Sequence, residues 1–138
     1  PPWASLPAPA LGLSPCRCAA PASSELLAAC AWDGTVRIWS VCAAASAPLA
    51  RRGGAAHVAT YSHEMAALAA AFAPQGGILF SGGADAAVRS FELSTGGLSA
   101  VGSHGGPVVA VATAEPHPSM VLSASLDKTV AVWDPRAS

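Results

Sequence analysis

Three stretches of the chain share one order of apolar and polar positions. Each contains a short apolar run, an aspartate, a valine three residues after the aspartate and an aromatic residue six residues after it. The aspartates lie 52 and then 42 residues apart, so the chain repeats one supersecondary unit and carries an insertion in the first interval. The three sets are Asp33, Val36 and Trp39; Asp85, Val88 and Phe91; and Asp127, Val130 and Trp133.

Each unit has the pattern of an antiparallel hairpin. The apolar run ends at the aspartate, and residues 129–133 then alternate with a period of two, which is typical of a strand. An aspartate in such a turn accepts hydrogen bonds from nearby backbone N–H groups and so fixes the strand register. Residues 65–74 and 107–116 are apolar and closed by proline, and we expect both to be strands, although alanine alone would favour a helix in the first. The sequence therefore predicts an all-β fold.

Two of the units add a histidine and a serine at matching positions. The serine stands four residues before the aspartate, and the histidine stands 22 or 23 residues before it. These are the residue types of a serine hydrolase, which is one interpretation. Because the trio occurs twice and no G-x-S-x-G turn accompanies it, a repeated scaffold is favoured over a single active site. The trios are His63, Ser81 and Asp85, and His104, Ser123 and Asp127.

The order of a histidine, an apolar strand, a serine, an aspartate and a closing Trp-Asp pair resembles the WD repeat of β-propellers. The third unit carries the full set and ends at Trp133 and Asp134. The resemblance implies a partial propeller of about three blades, with residues 1–138 forming a single piece of a seven-bladed ring. The implied repeats cover residues 1–41, 62–96 and 104–138, with an Ala/Gly-rich inter-blade loop at 42–61.

The same resemblance implies a hydrogen-bonded network across each blade. In the third unit the network would end at the indole N–H of Trp133. The second unit has Phe91 at that position, so we expect it to lack this donor, and the first unit has Ala29 at the serine position and no histidine before it. The implied network residues are His104, Ser123, Asp127 and Trp133 in the third unit, His63, Ser81 and Asp85 in the second, and Asp33 and Trp39 in the first.

The whole string is most similar to the family of WD-repeat messenger RNA export factors of the nuclear pore. The similarity rests on the order of the motifs and on the long Ala- and Ser-rich link between Trp39 and His63. It implies a non-enzymatic scaffold without a cofactor, located in the nucleus, at the nuclear envelope and in the cytoplasm. Such a scaffold binds a nucleoporin peptide segment and associates indirectly with messenger ribonucleoprotein. Ala84 and Leu126 depart from this family, in which a tryptophan or cysteine is expected before the turn aspartate.

Two other families share part of this pattern. WD-repeat adaptors of the spindle assembly checkpoint resemble the chain nearly as well, although their first link is shorter. The closing residues Trp133 to Arg136 also fit the W-D-x-R pattern of propellers that act as substrate receptors for cullin-based ubiquitin ligases. That pattern would make Arg136 a contact of the ligase adaptor, whereas a plain turn would leave Arg136 solvated.

Charge and cysteine spacing argue against several classes of function. The net charge is −1 and the seven basic residues are scattered, so we expect no direct nucleic-acid binding. Proline and glycine interrupt the longest uncharged stretches, so we expect no membrane span. The cysteines lack the spacing of a zinc site, so we expect no metal, and Cys30 and Cys42 are interpreted as apolar fillers. His57 and His117 lie outside the repeat positions and are expected in exposed loops.

The composition predicts a thin core. Alanine supplies 33 of the 138 residues, whereas Leu, Val, Ile and Phe together make up a fifth of the chain. The chain begins with proline rather than methionine and is interpreted as a fragment. Because propellers close with about four to eight blades, three units would leave two blade faces exposed, and we expect the chain to associate through them.

Overall fold

The computed structural model describes residues 26–40, 56–114 and 117–136. These residues form antiparallel β-sheets and no helix, which confirms the all-β prediction. It follows that no helix long and apolar enough to cross a membrane occurs among them. The strands are β1 (Leu26–Cys30), β2 (Thr35–Ser40), β3 (Ala56–Ser62), β4 (Ala67–Phe72), β5 (Ile78–Gly83), β6 (Ala87–Glu92), β7 (Gly97–Ser103), β8 (Val108–Ala114), β9 (His117–Ser125) and β10 (Val130–Trp133).

The strands form three sheets that follow one another along the chain. The first sheet has the order β1-β2-β3, the second β4-β5-β6-β7 and the third β8-β9-β10. Each strand pairs antiparallel with its sequence neighbour inside a sheet. This is the strand arrangement of consecutive blades in a partial propeller, as the resemblance implied.

The three aspartates lie in the tight turns of three hairpins. Asp33 connects β1 to β2, Asp85 connects β5 to β6, and Asp127 connects β9 to β10. The pairing closes next to each turn, for example between Cys30 and Val36. The structure thus has the hairpins that the repeated pattern predicts.

The alanine-rich segment 65–74 forms strand β4, and segment 107–116 contains strand β8, as predicted. A β-bulge at Ala67 and Ala69 shifts the pairing of β4 with β5 by one residue. Because of this bulge, Ala67 and Ala70 are both buried although they stand three residues apart. Sheet pairing and burial therefore outweigh the helix propensity of alanine in β4.

The core consists of two layers, one on each face of the second sheet. In β5, Leu79 packs against the first sheet and Phe80 packs against the third, and both are fully buried. Gly82 allows β8 to approach closely, because a Cβ atom at this position would overlap Val108. The layer towards the first sheet contains Ala28, Cys30, Val36, Ile38, Tyr61, Ala67, Ala70, Phe72, Leu79 and Phe91, and the layer towards the third contains Ala73, Phe80 and Val121.

Two sequence expectations about loops were wrong. Strand β3 begins at Ala56, within the segment 42–61, because residues 56–62 pair with β2 as the outer strand of the first sheet. Residues 42–55 of that segment lie outside the described residues. His57 and His117 are exposed, as expected, but they lie in strands, where they pair with Trp39 and Ala114.

The two ends of the stacked sheets differ. The aspartate end consists of the hairpin turns 31–34, 84–86 and 126–129 together with the loops 63–66 and 104–107 that precede β4 and β8. Each loop is hydrogen-bonded to a neighbouring turn, as in His63 N–H to Gly34 O at 2.9 Å. The opposite end contains the turns 73–77 and 93–96 and residues 134–136 after β10.

Candidate functional site at the aspartate end

A continuous hydrogen-bonded network crosses the third sheet at the aspartate end. The indole N–H of Trp133 donates to Ser123 Oγ at 2.7 Å, and Ser123 Oγ lies 2.7 Å from His104 Nε2. On the other side of the ring, His104 Nδ1 lies 2.8 Å from Thr129 Oγ1, which donates to Asp127 Oδ1 at 2.5 Å. Every bond can point the same way, from the indole N–H to the carboxylate.

Asp127 joins the hairpin turn to the preceding loop. Its carboxylate accepts the backbone N–H of Gly105 at 2.7 Å and that of Thr129 at 2.9 Å. The Thr129 hydroxyl and these N–H groups hold the pKa of Asp127 well below its usual range. Asp127 Oδ2 lies 3.5 Å from His104 Nδ1, and the Thr129 hydroxyl makes the shorter link between the histidine and the carboxylate. Sequence reasoning missed Thr129 as a member of this network.

The second sheet has a matching network with a different donor at its end. His63 Nδ1 lies 3.0 Å from Asp85 Oδ1, and His63 Nε2 lies 2.8 Å from Ser81 Oγ. The expected loss of the indole is correct at Phe91, but the hydroxyl of Tyr61 donates to Ser81 Oγ at 2.8 Å. The Tyr61 ring stacks on Phe91 with centroids 4.8 Å apart.

Tyr61 completes the network from another sheet. It lies in β3 of the first sheet, whereas Ser81 lies in β5 of the second. In the third sheet, by contrast, Trp133 and Ser123 belong to adjacent strands of the same sheet. Sequence reasoning missed Tyr61 because it lies in the segment interpreted as a loop; its aromatic ring two residues before His63 was the available signal.

Asp85 is the most densely bonded of the turn aspartates. It accepts the backbone N–H groups of Glu64 at 3.1 Å and Ala87 at 3.2 Å, and Arg89 donates to it at 3.3 Å. Burial raises the pKa of Asp85, but these N–H groups and His63 outweigh it and leave the pKa lowered. The pKa of His63 is lowered, chiefly by burial and against the pull of Asp85, so the imidazole is neutral near pH 7.

The first sheet retains only part of this pattern. Asp33 accepts the backbone N–H of Thr35 at 2.9 Å and its hydroxyl at 2.6 Å, and these bonds lower the pKa of Asp33. Ala29 occupies the position of the serine, as expected from the sequence. The indole N–H of Trp39 is buried and has no hydrogen-bond partner among the described residues.

The geometry of the two complete networks favours structural roles over catalysis. Ser81 and Ser123 are 0% and 2% exposed, so a substrate cannot reach their hydroxyl groups. Across residues 26–40, 56–114 and 117–136, no three His, Cys, Asp or Glu side chains form a metal-binding cluster. Arg136 lies at the opposite end, outside the networks, where its backbone N–H donates to Asp134 Oδ1 at 3.0 Å.

Large apolar side chains stand exposed on the turns and loops of the aspartate end. Trp32 is 61% exposed, Met65 57% and Leu126 67%. The turn of Trp32 touches the loop of Met65, since a Cβ atom on Gly34 would lie 2.9 Å from the Met65 carbonyl oxygen. Ala84 takes the matching position before Asp85. The signal in the sequence is the position directly before each turn aspartate.

Comparison with known proteins finds matches to one repeat family and similarity to two curated proteins. The family model described as "WD domain, G-beta repeat" matches residues 14–40 and 98–134, and does not extend over most of the second sheet. The chain is 32% identical over 118 residues to "Mitotic checkpoint protein bub-3" of Caenorhabditis elegans, covering 84% of this chain. It is 31% identical over 117 residues to "Poly(A)+ RNA export protein" of Schizosaccharomyces pombe, covering 83% of this chain. The matches span 31% of the length of each of these curated relatives.

Proposed function

The chain carries WD repeats, and from this premise we propose that it is a non-enzymatic scaffold for protein–protein interaction that acts in messenger RNA export. The observation that carries the scaffold role is the set of exposed apolar side chains on turns and loops that backbone hydrogen bonds join, such as His63 N–H to Gly34 O and Leu126 N–H to Pro107 O. Trp32 and Leu126 are the most exposed side chains in this set. Aromatic and aliphatic anchors on fixed backbone are the usual centre of a protein-binding surface.

The export role is supported by the fission yeast relative and by the long link between Trp39 and His63. In this proposal the aspartate end binds a nucleoporin peptide segment and the protein associates indirectly with messenger ribonucleoprotein. Its location would be the nucleus, the nuclear envelope and the cytoplasm. The nematode relative supports a second candidate, an adaptor of the spindle assembly checkpoint. Exposure of Arg136 supports a third, a substrate receptor of a cullin-based ubiquitin ligase.

Affinity capture with the chain as bait tests these roles together. Captured nucleoporins, checkpoint kinases and ligase adaptors are quantified in one mass-spectrometry run. We expect nucleoporins, with capture reduced about fivefold or more in Trp32→Ala/Leu126→Ala, because the loss of even one anchor residue costs about 1 kcal/mol or more. Leu98→Ala, on the outer strand β7, is the control and should leave capture unchanged.

Each other result has a distinct meaning. Checkpoint kinases without nucleoporins would favour the checkpoint role. Ligase adaptors that are lost in Arg136→Ala would favour the ubiquitin-ligase role. Capture that is the same in Trp32→Ala/Leu126→Ala and in the unaltered chain would contradict a binding surface at the aspartate end.

A further inference from the structure

A cleft of about 340 Å³ lies at the opposite end of the molecule, between the second and third sheets. It is formed where the β4–β5 turn and the end of β6 face the residues that follow β10. None of its residues belongs to the hydrogen-bonded networks or to the aspartate end. Gln75, Ser90 and Ser94 supply polar side chains to its lining.

The floor of the cleft is apolar and its mouth is open. Ala73 and Phe80 are buried beneath it, and Ile78 is partly exposed to it. At Gly77 a Cβ atom would meet no other atom within 4 Å, so this edge of the cleft is unobstructed. The volume is at the lower end of the range for ligand pockets, which suits one apolar side chain with its flanking backbone.

The rim carries one cation that no described residue neutralises. Arg136 lines the cleft beside Pro135, and the bond from its backbone N–H to Asp134 fixes the turn. Its guanidinium makes no hydrogen bond or ion pair within residues 26–40, 56–114 and 117–136. A guanidinium next to apolar surface is suited to a carboxylate, which it can bind through two parallel N–H groups.

The acidic group on the rim limits how much negative charge a ligand can carry. Glu92 also lines the cleft, and its carboxylate accepts the hydroxyl of Thr95 at 2.8 Å. This bond fixes a negative charge at the mouth of the cleft, which disfavours a ligand with a run of carboxylates. A single carboxylate placed towards Arg136 avoids this repulsion.

We propose that this cleft binds an extended peptide segment of a protein partner in which one apolar residue stands next to one acidic residue. The apolar side chain occupies the floor over Phe80, and the adjacent carboxylate pairs with Arg136. The site lies at the end opposite to the turns proposed above as the partner surface. It shares only Arg136 with the third candidate role and no residue with the surface at the aspartate end, so it does not depend on that surface.

The test uses short synthetic peptides and the full chain. The probe is acetyl-Gly-Asp-Leu-Gly-amide, with the Asp→Asn and the Leu→Ser peptides as controls, and binding is followed by ¹⁵N–¹H correlation spectra. We expect the probe to shift the backbone amides of Gly77, Ser94 and Arg136. Both control peptides should bind about threefold to fivefold more weakly, the range expected for an exposed ion pair and a small apolar contact.

Two variants identify the cleft. Arg136→Gln should remove the preference for Asp over Asn in the peptide, and Gly77→Leu should abolish binding by filling the open edge. Lys128→Gln removes one positive charge at the aspartate end and should change neither the preference for Asp nor the binding of the peptide. The spectra themselves show whether each variant is folded.

The proposal is overturned if the probe shifts no amide around the cleft at saturating concentration. It is equally overturned if Arg136→Gln and Lys128→Gln reduce the affinity for the probe peptide to the same extent. Neither result would bear on the aspartate end, whose test uses Trp32 and Leu126.

Discussion

Ser81 and Ser123 occupy equivalent positions but receive their hydrogen bonds from different side chains. Ser123 accepts from an indole N–H at 2.7 Å, and Ser81 accepts from a phenol O–H at 2.8 Å. The stacked rings of Tyr61 and Phe91 together provide the apolar surface and the donor that one tryptophan would supply. A serine hydroxyl in a buried network needs such a donor because an unmade bond there costs free energy.

The Tyr61→Phe variant tests the substituted donor. It removes the hydroxyl and keeps the ring on Phe91, so we expect a loss of about 1 kcal/mol in the free energy of unfolding, measured in urea. In a Ser81→Ala background the same change should cost less, because the acceptor is already absent. An equal cost in both backgrounds would show that the bond to Ser81 is not the cause.

The indole N–H of Trp39 has no partner in the part of the chain that the structure describes, and this suggests a stabilising substitution. Ala29 stands diagonally across the β1–β2 pair from Trp39, as Ser123 stands from Trp133 in the third sheet. Ala29→Ser would place an acceptor near the indole N–H, and we expect a gain of about 1 kcal/mol in thermal or urea unfolding. Ala28→Ser is the control, because its side chain faces the core between the sheets and a hydroxyl there should destabilise the protein.

Acidification should lower stability in two steps, the first through His63. The pKa of His63 is lower in the folded protein than its usual 6.5, so between these two values the unfolded chain binds more protons. The contribution of neutral His63 is therefore complete above about pH 6.5 and is lost as the pH falls towards the folded pKa. Asp33, Asp85 and Asp127 have lowered pKa values, so their contributions are lost only at lower pH, below about 4.

Urea unfolding between pH 8 and pH 3 measures both steps. His63→Gln should flatten the profile just below pH 6.5, whereas the exposed His117→Gln is the control. An NMR titration of the His63 ring in the unaltered protein gives the folded pKa directly, and a value at or above 6.5 would contradict the first step.

At the scale of single residues, the spacing of the repeats predicts the network residues that occur in more than one repeat and misses those that occur in only one. The aspartates, histidines and serines of two networks stand at matching intervals, so the sequence was sufficient to group them. Tyr61 bonds to a residue 20 positions away in another sheet, and no interval points to it. For Trp39 the sequence predicted the missing serine at Ala29, but not that the indole N–H is buried without a partner among the described residues, because burial cannot be read from spacing.

At the scale of strands, alternation and turn residues predicted most of the elements correctly. Strand β4 was predictable from its place in the repeat, against the propensity of its alanines. Strand β3 was not, because residues 42–61 are rich in alanine and glycine and residues 57–61 show no clear alternation of apolar and polar side chains. Strand packing also depends on single glycines, and the pattern of apolar and polar residues does not show which glycine lies at a close contact between strands.

The absence of a side chain at Gly82 allows strands β5 and β8 to approach closely. Gly82→Ala would place a methyl group into Val108, so we expect a loss of about 1–3 kcal/mol in the free energy of unfolding. Gly77→Ala is the matched control, because a Cβ atom there meets open space. Adding Val108→Ala should relieve part of the overlap, and a double variant less stable than the sum of the two single changes would contradict this explanation.

At the scale of the whole molecule, the outer face of the third sheet is apolar and uncovered by any described residue. Val130 is 72% exposed and Val132 is 60% exposed. Their cross-strand partners on this face are Ala124 and Leu122, and Ala110 and Ala112 of β8 extend it. Contiguous apolar surface of this kind promotes association in water.

We therefore expect the isolated chain to associate through this face, as judged by analytical ultracentrifugation. Val130→Thr/Val132→Thr keeps β-branched side chains and should reduce the average mass towards that of a monomer. Val58→Thr/Leu98→Thr makes the same kind of change on the outer strands β3 and β7 and should not. A cooperative, monomeric unfolding transition in the unaltered chain would count against the expectation.

The bond between Tyr61 and Ser81 limits how the units of this chain can be exchanged. A repeat protein is commonly treated as a series of interchangeable modules, cut where one repeat ends and the next begins. A cut between Ser62 and His63 would leave the second module without the donor that completes its network, whereas the third module carries its own in Trp133. Recombination, duplication or grafting of the second module would therefore succeed only if the preceding strand moved with it.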